Sequence, residues 1–163
     1  VWGWIREDGR PDPADLGRAY PGVVVDLELA TWHGRFSADD ARRLGDVSGV
    51  TTHGYPVGRF EGGLRWLAEG GARVYPQIYR PSRPTVTPAK FAQIALGKWA
   101  EVGFAPGSVV PLVAASDGPY ALKVAAAALR EGAGGIGVWG WTSSPSARTR
   151  DLLARVCRLA YPV

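Results

Sequence analysis

Short apolar runs alternate along this chain with stretches whose apolar residues recur every three or four positions. The clearest run is Val23-Val24-Val25, entered from Pro21-Gly22 and leading into Asp26-Leu27-Glu28-Leu29. Its β-branched residues and turn-forming boundary predict a strand buried on both faces, as in a sheet covered by helices. Further strands are predicted at 1–5, 50–55, 109–115 and 135–141, and at 73–79 despite the Pro inside that run. Between them, helices are predicted to start at Asp12-Pro13, Ser37-Ala38-Asp39-Asp40, Glu61, Thr87-Pro88, Tyr120 and Ser144-Pro145. Asp, Ser and Thr side chains accept the free N–H groups of a first turn, and Pro fits that turn without losing a bond. Gly70-Gly71 ends the helix that begins at Glu61.

Strands and helices in this alternation predict parallel β/α units with right-handed crossovers. No Gly-rich phosphate fingerprint follows any strand, which argues against a dinucleotide-binding sheet. In a (β/α)8 barrel, functional residues collect at the C-terminal ends of several strands. There the chain carries Asp26 and Glu28, His53 and Tyr55, Gln77 and Tyr79, and Trp139 and Trp141. The expectation is therefore an α/β fold of the (β/α)8 TIM-barrel type, as one domain over 1–163. Six strands are two short of a barrel, so the chain reads as the strand 3 to strand 8 portion, with the first units upstream of Val1. The absence of an initiator and of any Met fits a processed product or a fragment.

Composition narrows the classes. With 46% apolar and 21% charged residues the chain matches a globular protein and not a disordered one. No apolar run approaches the roughly 20 residues of a membrane span, and no signal-peptide pattern is present. The net charge of +4 comes from scattered Arg residues without interleaved aromatics. That argues against a dedicated nucleic-acid surface and fits a mild attraction to anionic polymers such as bacterial cell walls. Cys157, beside Val156 and Leu159, reads as a small core residue, with no disulfide framework and no zinc spacing.

Asp26 and Glu28 are the candidate chemistry. Alternation puts both on one side of the strand, about 6.6–6.8 Å apart along the backbone. Carboxylates aimed together from a buried strand are costly to desolvate, and acid–base work or a cation is the usual reason to keep them. The plainer alternative is a solvated pair just past the strand end.

These residues resemble the family 18 glycoside hydrolases, the chitinases and their lysozyme-like relatives, and secondarily the family 25 lysozymes. Both families carry Asp-x-Glu at the end of barrel strand four, the place Asp26-Leu27-Glu28 takes when the last strand is the eighth. Pro76-Gln77-Ile78-Tyr79 is similar to the family 18 Gln-x-Tyr or Met-x-Tyr of strand six. Gly134-Gly135-Ile136-Gly137-Val138-Trp139 is similar to its Gly-Gly-(apolar)₃-Trp last strand. The resemblance spans about residues 20 to 142. It implies Glu28 as the general acid on the leaving oxygen and Asp26 as the helper that orients the substrate's own acetamido nucleophile. It further implies Tyr79 as a donor to the acetamido oxygen, Gln77 as a sugar contact and Trp139 as the aromatic floor. Trp32 and Tyr55 would wall the same cleft, and no metal or organic cofactor is required. The chain departs from the fuller motif Asp-x-x-Asp-x-Asp-x-Glu, having Pro21 and Val24 at the first two Asp positions. That moves the pattern towards the family 25 lysozymes, and it is also how a degenerate sugar-binding relative would look.

Other residues have plainer roles. His53 reads as a hydrogen-bonded core or rim residue and His33 as a loop residue; Trp66 and Trp99, at helical spacing with Leu and Ile, read as core. Arg80, Arg83 and their prolines form a stiff loop on the substrate side. The functional expectation is a glycosidase acting on peptidoglycan or chitin, extracellular, cell-wall associated or virion-borne. The rivals are a non-catalytic carbohydrate-binding or structural module of a larger assembly, and a barrel enzyme holding a divalent cation on Asp26 and Glu28.

Overall fold

A computed structural model describes residues 4–5, 24–27, 35–44, 47–56, 58–82, 85–140 and 146–160. The helix expected at Asp12-Pro13 lies outside them. Among the described residues are six strands: β1 (Trp4–Ile5), β2 (Val24–Asp26), β3 (Gly49–His53), β4 (Arg73–Gln77), β5 (Leu112–Ala114) and β6 (Gly137–Trp139). They form one sheet in the order β1-β2-β3-β4-β5-β6, and every neighbouring pair is parallel. Parallel strands in sequential order are the arrangement of successive β/α units, and the fold is mixed α/β, compatible with part of a barrel.

Helices α1 (Ala38–Leu44), α2 (Glu61–Glu69), α3 (Pro88–Val102), α4 (Pro119–Arg130) and α5 (Ala147–Ala160) supply the covering layer. Their ends follow from local chemistry. Ser37 and Asp40 cap α1 reciprocally: the Ser37 hydroxyl accepts the Asp40 N–H at 3.2 Å, and the Asp40 carboxylate accepts the Ser37 N–H at 2.8 Å. The Thr87 hydroxyl accepts the Lys90 N–H at 3.2 Å with Pro88 in the first turn, and α3 stops at Gly103 at φ 117°. At α5 the cap is Ser146, which accepts the Thr149 N–H at 3.1 Å; the expected capping pair Ser144-Pro145 lies outside the described residues.

Alternate strand residues face opposite ways. Val25, Leu27, Val50, Val74, Ile78 and Val113 pack into the main core with Leu44, Leu64, Leu67, Leu96 and Trp99 of the helices. Trp99 is fully buried, stands edge-on to Phe104 with centroids 5.6 Å apart, and donates its indole N–H to Gly54 O at 3.1 Å. Trp66 packs against the same core. On the other face of the sheet, Val24, Tyr75 and Leu112 make a second, small apolar cluster with Tyr79 and Val110 against it. Val24 and Val25 are each only 4% exposed, so β2 is buried on both faces, as expected of its Val run.

Three expectations need correction. The runs 73–79 and 109–115 are shorter as strands than expected, and proline thins the pairing between them. Val110 N–H donates to Val74 O and Ile78 N–H to Leu112 O, while Pro76 between them has no donor to offer. The β4·β5 ladder is accordingly one registered pair, Gln77↔Leu112, with an isolated bridge Val74↔Val109. Cys157 is exposed and not part of the core. The buried stripe of α5 is Thr149, Leu152 and Val156, and one residue further on turns the side chain about 100° away. Ile94, counted with the apolar face of α3, is exposed for the same reason, since α3 buries Ala92, Ala95, Leu96, Trp99 and Val102.

Candidate functional site

The face of the sheet turned away from the helices becomes polar towards the C-terminal ends of its strands. Register fixes the neighbours: Asp26 stands beside Thr51, Thr51 beside Tyr75, His53 beside Gln77, and Ala114 beside Trp139. Asp26, Thr51, Gln77 and Trp139 therefore share this face with the Val24–Tyr75–Leu112 cluster, and Tyr79 packs against that cluster. Two glycines give the large side chains room. A Cβ at Gly49 would lie 2.7 Å from the Tyr75 ring, and one at Gly137 would lie 2.3 Å from Leu112 Cδ2. The face thus pairs large with small residues between neighbouring strands, as a narrow curved interior requires.

Asp26 is the last residue of β2 and is half-buried, with Leu27 after it fully buried against the helices. Thr51 beside it is wholly inaccessible, and its hydroxyl has no hydrogen-bond partner among the described residues. Tyr79 is half-buried. Burial pushes its phenol well above the ordinary tyrosine value, and the negative charges of Asp26 and then Asp117 push it further. At neutral pH it is a protonated donor beside carboxylates. Gln77 is half-buried, whereas His53 is exposed and Trp139 is 45% exposed, an aromatic surface open to solvent.

Two further residues, to which the sequence alone assigns no chemistry, stand beside these. Asp117 ends the turn Ala115–Asp117 after β5, and its Oδ2 accepts the Arg80 N–H at 2.7 Å. Tyr120, in the first turn of α4, has a phenol raised by burial and by Asp117, partly offset by Arg80. Its buried hydroxyl has no partner among the described residues. The signal was Ser116-Asp117-Gly118 directly after an apolar run, at the same strand end as the other candidates.

Asp26, Gln77, Tyr79 and Trp139 thus come to one face. Tyr55 lines a different cavity, of about 510 Å³, with Pro56, Glu61, Ile94, Lys98, Glu101 and Val102. It is 51% exposed and stands perpendicular to Phe91. Glu28, Trp32, His33, Arg83 and Trp141 lie outside the described residues. Among the described residues no group of three or more His, Cys, Asp or Glu side chains is placed to hold a metal, and no helix is long and apolar enough to cross a membrane. Comparison with protein-family models, with curated proteins and with solved structures returned no match.

Proposed function

We propose that the chain is a glycoside hydrolase acting on an N-acetylhexosamine polymer, peptidoglycan or chitin, on strands three to eight of a (β/α)8-type scaffold. The observation that carries this reading is that strand register sets Asp26, at the end of β2, on the same face of the sheet against which Tyr79, just past β4, packs. Gln77 and the open indole of Trp139 lie on the same face. Glu28, two residues beyond Asp26, protonates the leaving glycosidic oxygen. Asp26 orients the substrate's acetamido group, whose oxygen attacks the anomeric carbon, and Tyr79 donates to that oxygen. The Trp139 ring meets the C–H face of the sugar. Substrates of this kind put the protein at a cell wall, outside the cell or on a virion.

A second reading has its own support. Val24, one strand repeat below Asp26, lies in an apolar cluster with Tyr75 and Leu112, so no carboxylate stands at that position to share a proton with Asp26. A non-catalytic saccharide-binding module has no need of one. Glu28→Gln separates the readings when a reducing-sugar assay is run beside pull-down on insoluble chitin and peptidoglycan. Turnover by the wild type that disappears in the variant, with retention on the polymer unchanged, is the expected result. Undiminished turnover in the variant overturns the catalytic assignment, and retention without product from either protein selects the module.

A further inference from the structure

We propose that Asp117 is a positioning residue for Tyr79: it ties the segment after β4 to the turn after β5 and so holds the tyrosine against the face that carries Asp26. The catalytic consequence rests on the glycosidase reading above; the structural one does not. Tyr79 is the first residue but one beyond β4, where the sheet no longer registers it. On either side a backbone N–H reaches across to the β5 unit: Ile78 N–H donates to Leu112 O at 2.9 Å, and Arg80 N–H donates to Asp117 Oδ2 at 2.7 Å. Alternation aims every second amide of a strand at the same neighbour. The amide position before this pair offers nothing, because Pro76 has no N–H. The two anchors that bracket Tyr79 are therefore the backbone bond at Ile78 and the charged bond at Arg80.

The second is the stronger kind, since a carboxylate acceptor makes a shorter and firmer bond than a carbonyl. Asp117 is itself well fixed. It ends the turn Ala115–Asp117, Gly118 follows at φ 51°, and α4 begins at once with Pro119. After burial and Asp26, its charge adds to what opposes ionisation of Tyr79, and after burial to what opposes that of Tyr120.

The test compares Asp117→Ala, Asp117→Asn and wild type in the full chain. The Asn amide oxygen can still accept the Arg80 N–H but carries no charge. Arg80 amide exchange, followed by NMR, is expected to quicken about tenfold or more in Asp117→Ala, and far less in Asp117→Asn. Under the glycosidase reading, kcat falls about tenfold to a hundredfold in Asp117→Ala with KM less affected, and Asp117→Asn recovers part of the loss. Unchanged Arg80 exchange in Asp117→Ala overturns the proposal. If Asp117→Ala does not fold, the wild type decides: an Arg80 amide that exchanges as fast as one in an unstructured chain overturns it. A wild type without turnover overturns the proposed function and leaves the anchor to be judged by exchange.

Discussion

The ring of Tyr75 lies over Gly49 on the neighbouring strand, with Cε2 2.7 Å from where a Cβ would stand on that glycine and Arg73 O 2.6 Å from it. The contact decides how closely β3 and β4 approach below the candidate site, since Thr51 is the registered partner of Tyr75 and Asp26 that of Thr51. Gly49→Ala forces backbone or ring to move and is expected to cost about 1–3 kcal/mol. Gly58→Ala, where a Cβ would meet nothing within 4 Å, should stay within about 0.5 kcal/mol. Urea denaturation of both variants checks the contrast; equal stability would mean that Tyr75 can turn away freely.

Thr51 presents a different balance. Its hydroxyl is buried beside Asp26 with no partner among the described residues. An unmade buried hydrogen bond costs about 1–3 kcal/mol. Thr51→Val keeps the shape and removes the polar atom, so stability should hold or rise by up to about 1 kcal/mol. If the hydroxyl serves the polysaccharide, retention on chitin or peptidoglycan should weaken in the same variant. A clear loss of thermal stability would show that the hydroxyl already has a partner beyond the described residues.

The cap of α1 makes a pH-dependent contribution. The Ser37 side chain, and next its backbone N–H, hold the Asp40 carboxyl below the ordinary carboxylate value of 3.8. A lowered folded-state value means that the stabilisation is present above that ordinary value and is lost as pH falls through the folded one. Ser37→Ala should cost about 1 kcal/mol at pH 7. The gap between variant and wild type should narrow as pH falls below 3.8 and Asp40 protonates and releases the Ser37 N–H. A gap of the same size in urea denaturation at both pH values would sink the account.

Much of the architecture was legible because its causes are local. The Val run of β2, the Ser37 and Thr87 caps and the Gly70-Gly71 stop each follow from the geometry of a few adjacent residues, and α1, α2 and α3 stand where the sequence predicts them. The polar and aromatic residues at the strand ends were legible for the same reason. Parallel pairing then sets those ends side by side, which brings Asp26, Gln77 and Trp139 to one face.

Other features were not legible, because they depend on partners far along the chain. Asp117 matters through an amide 37 residues away, which no local pattern reports. Tyr55 shares its strand end with the cleft candidates, yet it lines a cavity with residues of α2 and α3. Cys157 and Ile94 stand in apolar surroundings in sequence but off the buried stripe of their helices. The sequence by itself determined the periodicities, the caps and the order of β/α units, since these rest on bonds between near neighbours. Tertiary structure alone decided which helix face meets the sheet, how far each strand pairs past its prolines, and which carboxylates face Tyr79, because those outcomes are set by packing and charge between distant segments.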